Sequence, residues 1–222
     1  MNEFHDQSDL PSWVSFGLRW LKRLGMLIGI LVVLLVVLEA LSFLFYPGHS
    51  TRFLVSDESN GNPTWIDNQF FPYRFSPSRT ASPPLPIVAL KKPDGETLRV
   101  CLLGGSVAMG APDPSFGLGR QLELMLQARY PEETVEVINM SLRGGNTHVL
   151  REAVRDLKRL KPDAVVVITG NEEVAGPYGP ASGLGRFHHS SRIARLMTLF
   201  SRTQVSQLFI SIINRLSPAR GD

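Results

Sequence analysis

The longest apolar run in the chain, interrupted by one charge, is LGMLIGILVVLLVVLEALSFLFY, residues 24–46. At about 1.5 Å per residue, a helix of this length crosses a hydrocarbon core of about 30 Å, so the run predicts one transmembrane helix. Just upstream, Trp13, Phe16 and Trp20 recur at helical spacing and read as an interfacial lead-in. Residues 47–93 show no sustained period and are rich in Pro, Ser and Asn, which predicts an extended linker; its aromatic stretch WIDNQFFPYRF should pack against something. From residue 94 the rhythm changes. LRVCLLG (98–104), TVEVINM (134–140) and DAVVVITG (163–170) read as short strands. Between them lie two helical patterns. In 117–130, Leu118, Leu122, Met125 and Leu126 share a face; in 146–161, Val149, Ala153, Leu157 and Leu160 do, with Asn146 or Thr147 as cap. The tail, SSRIARLMTLFSRTQVSQLFISIINRL, predicts one long or two short amphipathic helices. Ile193, Leu196, Met197 and Phe200 line one face, and Leu208, Phe209, Ile212 and Ile213 another.

Strands that are apolar almost throughout, alternating with helices, imply a parallel sheet covered on both faces. The expected organisation is a cytoplasmic segment 1–23, an anchor 24–46, a linker 47–93 and a partial α/β domain 94–222. Arg19, Lys22 and Arg23 directly precede the apolar run, so the positive-inside tendency keeps the N-terminus in the cytoplasm and exports the rest. That gives a single-pass protein of the inner (cytoplasmic) membrane with its domain facing the periplasm or exterior. A cleaved signal peptide is the rival reading, through the small residues at Ala40 and Ser42, but apolar residues continue to Tyr46. Glu39, the one charge in the run, is an acid tolerated toward the outer end of the anchor.

Charge and cysteine content narrow the classes further. The net charge is +3 with scattered basic residues, so no nucleic-acid patch is expected. The single cysteine, Cys101, excludes an internal disulfide and lies in an apolar run as a buried thiol.

Ligands of parallel sheets bind beyond the carboxyl ends of the strands. Here the segments at those ends are GGS, NMSLRGGN and GNEEVAGPYGP. GGSVAMG lacks the G-x-G-x-x-G dinucleotide pattern and the Lys of a P-loop, and Ala108 stands where a nucleophile elbow needs its second glycine. A turn serine is the plain reading of Ser106. LLGGSVAMG, INMSLRGGNT and TGNEEVAGPYGP, taken in order, resemble the first three blocks of the SGNH (GDSL-type) hydrolases. The longer third phrase is similar to that of membrane-anchored bacterial members of the family.

The resemblance implies a three-layer, flavodoxin-like α/β domain, here incomplete. It also implies an esterase or acyl transferase acting on an ester in the cell envelope, with Ser106 as nucleophile and Gly144 (or its neighbour Gly145) as an oxyanion donor. No metal or organic cofactor is implied. The expected partners are the membrane and an ester-bearing small molecule or envelope glycan, together with a missing C-terminal region or partner subunit covering the apolar tail helices.

Departures from the pattern are equally specific. Gly105 stands where an acid is more usual. Glu172 takes the position of the asparagine that donates to the oxyanion, and a carboxylate there would repel it; Asn171, one residue earlier, is the substitute donor. The D-x-x-H block that supplies the family's base has no counterpart, since none of His5, His49, His148, His188 and His189 has Asp three residues before it. The alternative function is therefore a catalytically silent binding or scaffold protein of the envelope that keeps the fold.

Overall fold

The computed structural model describes residues 12–46, 48–58, 63–76, 81–90, 97–182 and 191–216. His5, His188 and His189 lie outside them. The chain divides into two units, Met1–Pro47 and Gly48–Asp222. In the first, helix α1 (Ser12–Phe45) contains the span Phe16–Leu44, which is long and apolar enough to cross a membrane or to serve as a signal sequence.

The second unit opens with a structure the linker reading does not anticipate. Strands β1 (Leu54–Asp57), β2 (Thr64–Asp67) and β3 (Val88–Leu90) form an antiparallel sheet in that order. The aromatic stretch does pack: Phe53, Leu54 and Phe71 are fully buried, with the Phe53 and Phe71 rings 5.1 Å apart. Strands of three or four residues with mixed burial carry too little alternation to show as a period.

The remaining elements alternate as expected. Strand β4 (Thr97–Gly104) is followed by the single-turn helix α2 (Ser106–Met109), helix α3 (Leu118–Arg129) and strand β5 (Thr134–Asn139). Helix α4 (Thr147–Ala153), a 3-10 turn, helix α5 (Leu157–Leu160) and strand β6 (Ala164–Ile168) come next. The sheet is parallel with order β5-β4-β6, so the first strand is central. That placement follows from its sequence, because Cys101, Leu102 and Leu103 are wholly buried. Val149, Ala153 and Leu160 enter the same core, and Asn146 caps α4 by accepting from Val149 N–H.

Three packing expectations change. On α3, Leu118 and Met125 are exposed, and the helix instead approaches the sheet through Gly119, where a Cβ would lie 3.1 Å from Asn139 Nδ2. Cover over both faces does not reach β6 among the described residues, where Val165 and Val167 remain 43% and 56% exposed. The tail forms two helices, α6 (Ser191–Phe200) and α7 (Gln204–Leu216). Of the first, Ala194 and Thr198 are buried while Leu196 stays 65% exposed. Small side chains allow the closer approach, and an ion pair from Arg202 to Glu152 (2.6 Å) holds the helix pair down.

Two clusters of charge tie the segments of this unit together. Glu152 is almost fully buried and receives Arg74, Arg155 and Arg202 on one carboxylate oxygen. Asp156 accepts the backbone N–H groups of Phe53 (2.8 Å) and Leu54 (3.2 Å), fixing the antiparallel sheet to the helical layer. Burial is the largest influence on its carboxyl and raises its pKa, against those two donors and the nearby Arg52 and Arg74, which lower it.

Cys101 reports on the central strand. Burial pushes its thiol pKa up to about 12, so almost no reactive thiolate exists near pH 8. Native protein should therefore resist a maleimide at that pH and label rapidly only after unfolding, as followed by intact mass. Fast native labelling would mean that β4 is not a core strand.

Candidate functional site

Ser106 lies two residues past Gly104, the last residue of the central strand, and begins α2. Gly104 and Gly105 make this turn possible. A Cβ on Gly104 would lie 2.4 Å from both Ala108 Cβ and the Ile168 carbonyl oxygen; one on Gly105 would lie 2.6 Å from Glu172 Cγ. The bare backbone thus lets the loop after β6 close over the end of β4.

The loops after the strands meet at this edge. Leu142 N–H donates to the Gly104 carbonyl, which draws the loop after β5 against the end of β4. Within it, Gly145 donates its N–H to Leu142 O and is packed against Gly104 O. Its amide is committed. Gly144 adopts φ +73° with open space where a Cβ would stand, so of the two glycines it is the one not closed in by neighbouring backbone. A Cβ on Gly176 would fall 2.5 Å from Glu172 O and 2.9 Å from Gly144 O, so the loops after β5 and β6 pack backbone to backbone.

Among the described residues, Ser106 Oγ has two side-chain partners. Its hydroxyl donates to Glu172 Oε1 at 2.7 Å, and Asn171 Nδ2 approaches Oγ at 3.4 Å. The structure therefore brings Ser106, Asn171 and Glu172 into one cluster, with Gly144 on the adjoining loop.

Sequence reasoning does not foresee the contact between Glu172 and Ser106. The sequence feature that accompanies it is Gly105, whose missing side chain leaves the space that Glu172 occupies. Glu173, which matches the acid position of the third block in the sequence resemblance, fixes this loop. Its carboxylate accepts from Thr147 N–H (2.8 Å) and Thr147 Oγ1 (2.6 Å), clamping the third loop to the first turn of α4. Asn146 adds a second clamp by donating to Pro177 O at 2.7 Å.

His148 lies on α4 with its ring edge-on to Tyr178, the centroids 5.8 Å apart. Burial, aided by Arg151 and opposed by Glu173, lowers its pKa. The hydroxyl of Ser106 is engaged by Glu172 and Asn171 instead of this ring. Beside Gly144 opens a cleft of about 620 Å³ whose walls include Phe75, Leu142, Val149, Pro177 and Tyr178, with Arg143 at its lining.

No protein-family model matches the chain, and no curated protein is significantly similar to it in sequence. Among solved structures, a single-residue variant of an acetyl xylan esterase from Geobacillus stearothermophilus overlays with a TM-score of 0.29 at 17% identity. The match covers 57% of this chain and 76% of that one, an overlap too slight to define a shared fold.

Proposed function

We propose that this chain is a membrane-anchored serine hydrolase of the SGNH type, an esterase or acyl transferase acting on an ester of the cell envelope. The observation that carries the reading is the Ser106 hydroxyl at the carboxyl end of the central strand, hydrogen-bonded to a carboxylate and approached by an amide donor. A serine hydroxyl becomes a useful nucleophile only when a base takes its proton, and the intermediate then needs donors for its new oxyanion. Backbone N–H groups of Ser106 and Gly144, with Asn171 Nδ2, are the donors in this reading.

The strand order β5-β4-β6 supports a flavodoxin-like winding, in which the second and third strands flank the first. The apolar walls of the cleft suit the acyl or alcohol portion of the substrate. Arg19, Lys22 and Arg23 hold the N-terminus in the cytoplasm, so the domain works outside the inner membrane. The reaction as proposed uses no metal or organic cofactor.

A second reading, a silent envelope binding or scaffold protein using the same rim, is favoured by the carboxylate of Glu172, which stands where the resemblance puts an oxyanion donor. Detergent-solubilised full chain treated with a fluorophosphonate probe separates the two. Modification at Ser106, mapped by peptide mass and lost in Ser106→Ala, supports the enzyme. An unmodified wild type would move the protein to the binding class.

A further inference from the structure

We infer that Glu172 is the general base that activates Ser106. This rests on the serine-hydrolase reading and adds the residue which that reading leaves unassigned.

Three observations converge on Glu172. The first is the bond itself: Ser106 Oγ donates its only proton to Glu172 Oε1 at 2.7 Å, within the reach a base requires. A base arriving from any other element would have to displace this contact. The second is the fit of the side chain. Glu172 Cγ lies over the bare Cα of Gly105, close enough that a Cβ there would be 2.6 Å away. Any residue other than glycine at 105 would push the carboxylate from the serine. The third is the rigidity of the loop that carries it. Gly176 N–H donates to Glu172 O at 2.7 Å, and the next residue, Glu173, is clamped to Thr147 through two hydrogen bonds. The base is therefore held in place before substrate arrives, which is where positioning lowers a barrier.

The chemistry balances with water as the only co-reactant. Ser106 Oγ attacks the ester carbonyl carbon and its proton passes to Glu172 Oε1. The carbonyl π-pair moves onto oxygen, which accepts from Asn171 Nδ2 in this reading. As the tetrahedral intermediate collapses, the carbon–alkoxy bond breaks and the protonated Glu172 delivers its proton to the departing alkoxide. Water then attacks the acyl-serine, giving its proton to Glu172. The bond from carbon to Ser106 Oγ breaks, and that proton returns to the serine. Glu172 is a carboxylate again at the end of the cycle.

The opposing view makes Glu172 an obstacle that repels the oxyanion; it predicts that Glu172→Asn speeds the reaction. The rate of fluorophosphonate modification at Ser106, read on the full chain in detergent by peptide mass, discriminates between them. Glu172→Gln, nearly identical in shape, should slow modification by about 10²-fold or more. Glu172→Ala should be equally slow and be partly restored by added sodium formate, a small carboxylate able to enter the vacated space. Unchanged or faster modification in Glu172→Gln or Glu172→Asn would overturn the inference and leave Ser106 as nucleophile with another base. Slow variants without formate rescue would overturn it too, by making Glu172 a positioning residue. A wild type never modified at Ser106 would instead remove the serine-hydrolase reading, and this inference with it.

Discussion

Replacing Glu152 by alanine is expected to destabilise the second unit by about 3–5 kcal/mol, the range for removing one partner of a buried ion pair. Its side chain is 2% exposed and one oxygen holds Arg74, Arg155 and Arg202 at 3.0, 3.1 and 2.6 Å. Arg155 and Arg202 reach solvent and can rehydrate. Arg74 cannot, because its side chain is only 5% exposed, wedged with its guanidinium carbon 5.4 and 5.1 Å from the Phe71 and Phe75 ring centres. Most of the cost of losing the carboxylate therefore falls on Arg74, whose pKa burial already lowers. At roughly 2–4 °C per kcal/mol for a unit of this size, the melting temperature should fall by about 10 °C. Hydrogen exchange should locate the damage in Ser191–Leu216, since Arg202 loses its anchor. A melting temperature unchanged within about 2 °C would mean that the three arginines are satisfied by water and that Glu152 holds nothing together.

Arg99→Met should cost a similar amount, about 3–5 kcal/mol, for a different reason. The guanidinium lies buried and uses its planar array of donors in three directions. Nε donates to Glu136 (2.7 Å), and the two terminal nitrogens donate to the Leu160 carbonyl (2.7 Å) and the Leu90 carbonyl (2.9 Å). It thus joins the antiparallel sheet, the end of α5 and the parallel sheet through one side chain. Methionine fills the volume but leaves two carbonyls without a donor. Arg99→Lys should recover only part of the loss, because an ammonium cannot match that planar geometry. Urea denaturation followed by fluorescence measures both. A methionine variant as stable as wild type would show that packing alone holds this junction.

The parallel sheet is legible because β4 and β6 each read as a short apolar run ending at glycine and β5 alternates like a strand. Its edge is legible for the same reason: the strand ends deliver GGS, NMSLRGGN and GNEEVAGPYGP to one rim. The antiparallel sheet is not, because its pairing depends on contacts distant in sequence, such as Asp156 with Phe53, and not on any local period. The apolar residues of α6 point to the wrong docking face. Leu196 and Ile193 outweigh Ala194 and Thr198 in hydrophobicity, yet close approach and the Arg202 pair decide which side turns inward. At the rim, the sequence singles out Ser106, Asn171 and Glu172, which the structure brings together, but in the sequence Glu172 reads as a defect. Only the spatial relation of residue 172 to the bare backbone at 105 shows that its carboxylate meets the serine hydroxyl.

That relation constrains how the rim can evolve. Positions 105 and 172 are far apart in sequence yet compete for one volume, since a Cβ on Gly105 would sit 2.6 Å from Glu172 Cγ. An acid introduced at 105 while Glu172 remains would face both steric conflict and like-charge repulsion. Losing Glu172 first would leave the serine without a carboxylate. The effect of a substitution at 105 should therefore depend on which residue stands at 172, and the two positions should be varied together.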